Sequence, residues 1–169
     1  MTRPQNTEAA EYYFKYIDLI TSDDVVSTMK DQLGETVQFL EGISEEDSLK
    51  SYAPGKWTIR EVLNHVNDGE RVFLGRAFWF ARGFGDALPS FEQDVAVQHA
   101  HANDTSWAKL VEEFKTVRAA SISFLETLPA EAWSRSGIAS DNPVTVRALA
   151  YIIAGHLVHH VNVLNEKYL

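Results

Sequence analysis

Three of this chain's six histidines, His156, His159 and His160, fall within the stretch AGHLVHHVNVL. The chain contains no cysteine, which excludes disulfides, thiolate zinc sites and a cysteine nucleophile, so a bound metal must be held by His, Asp or Glu. Placed on a helix at about 100° per residue, Leu149, Ile152, Ile153, His156, His160, Val163 and Leu164 share the apolar side, and His159 falls on its flank. Residues four apart on one helix face are neighbours, at roughly 5–6 Å between Cβ atoms. His156 and His160 can therefore converge on one ion, as the two histidines of an H-E-x-x-H helix do. The glutamate of that motif is absent from HLVHH, which excludes the zinc-protease reading. A second reading remains open, in which each is a core histidine with its own hydrogen-bond partner. Two inward imidazoles one turn apart are harder to satisfy separately, and a third ligand would decide between the readings.

His65, in EVLNHVNDGER, is the natural third candidate. It lies at the edge of the stripe formed by Ile59, Val62, Val66, Phe73 and Phe80, so periodicity permits an inward orientation without requiring it. His99 and His101 belong to a connecting segment and read as surface residues.

These histidines need long helices to hold them. Tyr13, Tyr16, Ile17 and Ile20 have helical spacing and predict a short N-terminal helix. Residues 21–43 start with the candidate N-caps Ser22, Asp23 and Asp24. They repeat Val26, Met29, Leu33, Val37 and Leu40 at steps of three or four, and reach Gly42 where a helix would end. Pro54 and Gly55 mark a loop before residues 58–83, where Thr58 and Glu61 form a capping-box pattern. At roughly 24 residues and 1.5 Å per residue, that helix would be about 36 Å long. Residues 84–104 read as a long connection with one helical turn near Glu92 to His99. Leu110, Phe114, Val117, Ile122 and Leu125 mark a third long helix, stopped at Pro129. Residues 129–143 read as a loop, and the last helix follows with Pro143 near its first turn. No segment alternates as a strand does. The pattern predicts an all-α four-helix bundle in one domain over residues 1–169, with a long crossover connection between its second and third long helices.

Composition narrows the function classes. A formal net charge of −9 opposes nucleic-acid binding, which needs a clustered basic face. No apolar run approaches the roughly 18–20 residues of a membrane span, and the N-terminus lacks a signal-peptide core. A cytoplasmic protein with a small-molecule substrate is the expectation, with neither membrane nor nucleic acid as partner.

The segments YAPGKWTIREVLNHVNDGERVFLGRAFWFARG, LPSFEQDVAV and NPVTVRALAYIIAGHLVHHVNVLNEKYL, in this order and at these separations, resemble the DinB-like superfamily. That superfamily includes YfiT-type metal-dependent hydrolases and bacillithiol transferases. The resemblance runs nearly end to end. It implies a four-helix bundle holding one divalent metal ion on three histidines, matched here by His65, His156 and His160, and so supplies the inward orientation of His65. It leaves zinc or nickel as first expectations and iron or manganese as alternatives. Trp57, Asp68, Glu70, Arg71, Arg76, Phe91 and Asp94 also fall in the matching segments. Trp57 is expected to pack where the second long helix begins, and Glu70, Arg71 and Arg76 to form ion pairs. Asn64 departs from the small residue expected beside the first ligand.

Three neutral histidines leave coordination positions open, as catalytic sites do. Water held there could act as a nucleophile in a hydrolase, or a low-molecular-weight thiol could lose its proton and attack an electrophile in an S-transferase. Asp68, one turn after His65, and His159, beside His160, are the candidates for supporting roles around the ligands. The competing class is a non-catalytic bundle or ligand sensor stabilised by metal. A homodimer is expected from the family and from aromatic positions such as Phe78 and Trp79.

Overall fold

Each long helix starts from a local signal. In the computed structural model, which describes residues 2–169, a 3-10 turn at Glu11–Tyr13 leads into a short helix α1 (Phe14–Ile17). Helix α2 (Val25–Glu41) begins at Asp24, whose side chain accepts from Ser27 N at 3.0 Å, and ends at Gly42. Helix α3 (Ile59–Ala81) has the complete capping box: Glu61 N donates to Thr58 Oγ1, and Thr58 N donates to Glu61 Oε2 at 2.8 Å. A short helix α4 (Gln93–Ala100) lies in the long connection before α5 (Trp107–Glu126). The last helix, α6 (Val146–Lys167), is capped by Thr145, whose hydroxyl accepts from Ala148 N at 3.0 Å.

The segment that reads as a loop over 129–143 is more structured than expected. After a 3-10 turn at Ala130–Ser134, strands β1 (Ser136–Ala139) and β2 (Asn142–Thr145) pair antiparallel, with Gly137 opposite Val144. Pro143 is therefore in β2, facing Ile138, and not in the first turn of α6. Four-residue strands are too short to show a clear alternation. Between them Ser140 and Asp141 take φ of 52° and 61°, the left-handed conformations that a two-residue hairpin turn of type I′ requires. For a residue other than glycine this costs about 1 kcal/mol or more. Leu88, from the long connection, bridges to β1 through Leu88 N to Ile138 O at 2.9 Å and Ser140 N to Leu88 O at 3.1 Å.

Contacts between side chains set the helix directions. Arg60 reaches Thr105, Asn67 reaches Leu110 and Glu70 reaches Arg118, so α3 and α5 ascend together and are parallel. Trp107 reaches Leu40 while Lys30 reaches Glu126, so α2 runs against α5. Tyr168 bonds the carbonyl of Trp57 while His156 meets His65, so α6 runs against α3. Because α3 and α5 are parallel neighbours, the chain between them must travel back along the bundle. This is the expected crossover, and it brings α4 over α3.

Two apolar clusters form the core. One gathers Ile17, Phe80, Leu149, Tyr151 and Ile152; the other gathers Leu40, Leu63, Phe114 and Leu157. Helices α3 and α6 contribute to both, and the polar stretch of each falls near the junction. Helix α1 is held tightly across α6 at Gly155, where a Cβ would lie 2.0 Å from Tyr16 O. Of the two aromatics expected on the surface, Phe78 is exposed, whereas Trp79 is half-buried and stacks on Phe84 with ring centroids 4.2 Å apart. No helix is long and apolar enough to cross a membrane among the described residues.

Candidate metal centre

The antiparallel packing of α3 on α6 brings His65 against His156 and His160. His65 Nε2 lies 3.1 Å from His156 Nε2, and His160 Nε2 lies 3.1 Å from the same atom. One ligating atom from each lies within 4.8 Å of the others, the arrangement a single ion needs. The periodicity of α6 placed His156 and His160 on the core side, and His65 faces them from α3 while buried.

The hydrogen-bond inventory shows why this cluster does not satisfy itself. A neutral imidazole nitrogen either carries one hydrogen or offers one lone pair. His156 Nε2 meets two other Nε2 atoms and can bond with only one of them. Burial also keeps the rings neutral. It pushes His65 down to about 4 and His160 down to about 3, and with His160 and His65 alongside it holds His156 well below the ordinary imidazole value. Three neutral rings turning Nε2 toward one point, with the Nδ1 atoms of His65 and His160 buried and without a protein partner, form a donor set suited to a divalent cation.

The surrounding side chains fix the rings. Trp57 lies tilted on His65 at 5.0 Å between centroids, Tyr16 meets His156 edge-on at 5.2 Å, and Phe73 does so at 5.9 Å. Gly69 sits behind His156: a Cβ there would lie 3.0 Å from His156 Cε1 and 3.4 Å from Nδ1. Periodicity does not single out Gly69 or Tyr16. Gly69 looks like an ordinary mid-helix glycine, and Tyr16 like part of the N-terminal helix face.

The supporting candidates are placed differently. His159 is half-buried on the flank, edge-on to Tyr16 at 5.3 Å and to His160 at 5.0 Å. Asp68 is engaged by other residues than the three histidines: its carboxylate accepts from Asn64 Nδ2 at 2.8 Å and from Arg71 Nη1 at 3.3 Å. The larger residue at Asn64 is thus accommodated by a bond to Asp68. Among the expected ion pairs, Glu70 pairs with the buried Arg118 and Arg71 pairs with Glu113. Among the described residues Arg76 forms no ion pair and instead bonds Pro89 O and Ser140 Oγ, because the crossover and the hairpin turn, not an acidic side chain, pass its guanidinium. His99 and His101 are exposed and are not part of the three-histidine group.

Two clefts flank the histidines. One, of about 130 Å³, is lined by His65 and His156 together with Tyr16, Phe73, Arg76 and Phe91. The other, of about 360 Å³, is lined by His160 and His159 together with Trp57, Asp94 and Tyr168.

A family model described as the DinB superfamily matches residues 29–164, which include all three histidines. The chain belongs to the DinB superfamily. The DinB fold extends to solved structures. YfiT from Bacillus subtilis, described as a probable metal-dependent hydrolase with an unusual four-helix bundle topology, superposes with a TM-score of 0.65 at 14% identity, over 96% of this chain and 91% of YfiT. A mycothiol-dependent maleylpyruvate isomerase superposes with a TM-score of 0.69 at 12% identity, over 86% of this chain but only 61% of that one. In sequence, "Putative metal-dependent hydrolase OB0413" from Oceanobacillus iheyensis is 29% identical over 69 residues, which are 41% of this chain and 38% of that protein.

Proposed function

We propose that this DinB protein is a metal-dependent enzyme in which His65, His156 and His160 hold one divalent ion, zinc or nickel, and which joins a low-molecular-weight thiol to a small electrophile. The convergence of three neutral Nε2 atoms that cannot satisfy one another carries the metal reading. When bound, such an ion supplies a Lewis acid that favours deprotonation of a thiol or a water molecule.

The thiol branch draws support from the two clefts. They reach the histidines from different sides, which suits a reaction with two substrates. The fold neighbour whose name records dependence on a thiol points the same way. The chain's own residues would orient the reactants: Trp57 and Tyr168 wall one cleft, and Tyr16, Phe73 and Phe91 wall the other. Hydrolysis of a small substrate is the second reading, supported by Asp94, a carboxylate that lines the same cleft as His160 and is a candidate base.

Metal analysis of purified protein tests the centre. Wild type is expected to carry close to one ion per chain and the His156→Ala/His160→Ala double variant essentially none; equal content in both removes the site. Incubating metal-loaded protein with thiols and a chromogenic electrophile separates the branches. Thiol consumption supports transfer, and ester or amide turnover without it supports hydrolysis.

A further inference from the structure

Arginines buried in this molecule come with carboxylates. Arg118 is paired with Glu70, Arg60 with Glu45, and the largely buried Arg147 with Glu8. Arg76 is the exception. It is only 5% exposed, yet among the described residues no carboxylate lies within ion-pair distance of it. Its Nη2 donates to Pro89 O at 2.8 Å and to Ser140 Oγ at 3.0 Å, which uses both hydrogens of that nitrogen. The Nε and Nη1 hydrogens have no acceptor among the described residues, and both atoms keep contact with solvent, which leaves them open to a ligand. A largely buried guanidinium without a counter-ion is poorly solvated, and an anion bound beside it would supply the missing charge.

The surroundings specify that ligand. Arg76 lines the same cleft as His65 and His156, and Ser140, on the left-handed hairpin turn and itself part of the cleft wall, accepts a bond from the guanidinium. The remaining walls are the aromatic rings of Tyr13, Tyr16, Phe73 and Phe91 and the neutral amide of Gln93. Lys15, poised over the Tyr12 and Tyr16 rings at 3.7 and 4.7 Å, adds positive charge at the rim. One guanidinium among neutral and aromatic groups matches a flat monoanion better than a phosphate, which carries more charge and calls for several cations. A guanidinium binds a carboxylate through charge-assisted N–H···O bonds; Nη2 of Arg76 belongs to both of its paired edges and is already engaged, so Nε and Nη1 would each hold the carboxylate singly rather than as a fork.

We infer that Arg76 is a binding residue for the carboxylate of a small, flat, carboxylate-bearing substrate, seated in the cleft with its other end toward His65 and His156. The description of the ligand as a substrate rests on the metal-dependent reaction proposed above. The carboxylate site itself does not, and it is read by binding to metal-free protein.

Calorimetric titration of the full chain with benzoate, and with benzamide as its neutral counterpart, tests the inference. Wild type is expected to bind benzoate in preference to benzamide. Arg76→Gln should weaken benzoate by roughly tenfold or more and Arg76→Lys by less, with benzamide unaffected. Arg76 also ties the crossover to the hairpin, so Gln93→Glu provides a second variant that leaves those bonds in place. By adding a negative charge to the same cleft it should also weaken benzoate selectively. The inference is overturned if wild type shows no saturable benzoate binding in the millimolar range, if benzamide binds as well as benzoate, or if benzoate affinity is unchanged in the variants that fold. Loss of metal from the histidines with benzoate selectivity intact would sink the metal reading alone.

Discussion

Helix α3 carries two buried polar clusters five residues apart, at His65 and at Glu70, and only the second is built on an ion pair. Glu70 Oε2 accepts from Arg118 Nε at 3.1 Å, Arg118 Nη1 donates to Gln32 Oε1 at 2.9 Å, and Gln32 Nε2 donates to Ala154 O at 3.2 Å. This chain of contacts links α3, α5, α2 and α6 and neutralises its charges within the protein. The histidine cluster links only α3 and α6, and its three Nε2 atoms face one another without a set of hydrogen bonds that could satisfy them all. The ion pair and its hydrogen bonds fix the packing of the bundle, although Glu70 Oε1 lacks a hydrogen-bond partner among the described residues; the neutral histidines have no charge pairing of that kind.

The comparison breaks most visibly at Arg118. Removing it in Arg118→Ala leaves Glu70 buried and unpaired, and urea unfolding should show a loss of about 3–5 kcal/mol. His156→Ala, by contrast, should leave the metal-free protein much closer to wild type, because it relieves an unsatisfied contact while opening a cavity.

Acid should separate the clusters next. The folded-state values of His65 and His160, about 4 and about 3, lie below the ordinary 6.5, and that of His156 is also lowered. Between these values and 6.5 the unfolded chain binds protons that the folded chain does not, so stability rises with pH there. The stability of metal-free protein is fully present above pH 6.5 and is lost as the pH falls toward 4. A decrease on the order of 2–4 kcal/mol from pH 7 to pH 5 is expected from urea midpoints. A flat profile over that range would contradict the burial of neutral rings, and replacing His65, His156 and His160 together should flatten it.

A subtler change sharpens the contrast. Gly69→Ala places a methyl group 3.0 Å from His156 Cε1, so the ring must shift by a few tenths of an ångström. Metal affinity should fall by about 10–100-fold, as when a ligand loses its supporting contacts, while the unfolding free energy of the metal-free protein changes by less than about 1 kcal/mol. Competition with a chelator reads the first effect and urea unfolding the second. The smallest change is expected at the surface pair. Glu113→Ala removes its contact with Arg71 at 2.6 Å, yet both side chains are at least 30% exposed, so stability should move by no more than about 0.5 kcal/mol.

Local signals account for the parts of the architecture that were legible. Asp24, Thr58 with Glu61, Gly42 and the stop before Pro129 each act within a few residues, and the helices begin and end near them. The hairpin at 136–145 escaped because its strands are short and its pairing with Leu88 comes from far along the chain. Arg76 escaped for a similar reason. As a charged residue in the segments that resemble the DinB-like proteins it was expected to form an ion pair, but its partners are a carbonyl and a hydroxyl of two loops whose approach is a tertiary matter.

The sequence by itself determined the four amphipathic helices and the phase of α6, because both depend on spacing along one helix. That phase put His156 and His160 inward and His159 on the flank. The resemblance to DinB-like proteins supplied His65, which helical periodicity left at the edge of its stripe. Only the tertiary structure brought His65 to within 3.1 Å of His156, turned Asp68 toward Asn64 and Arg71, and left Arg76 buried beside the cleft without a carboxylate. Such pairings depend on how α3 docks on α6 and where the crossover and hairpin come to rest, relations between distant segments that no local spacing encodes.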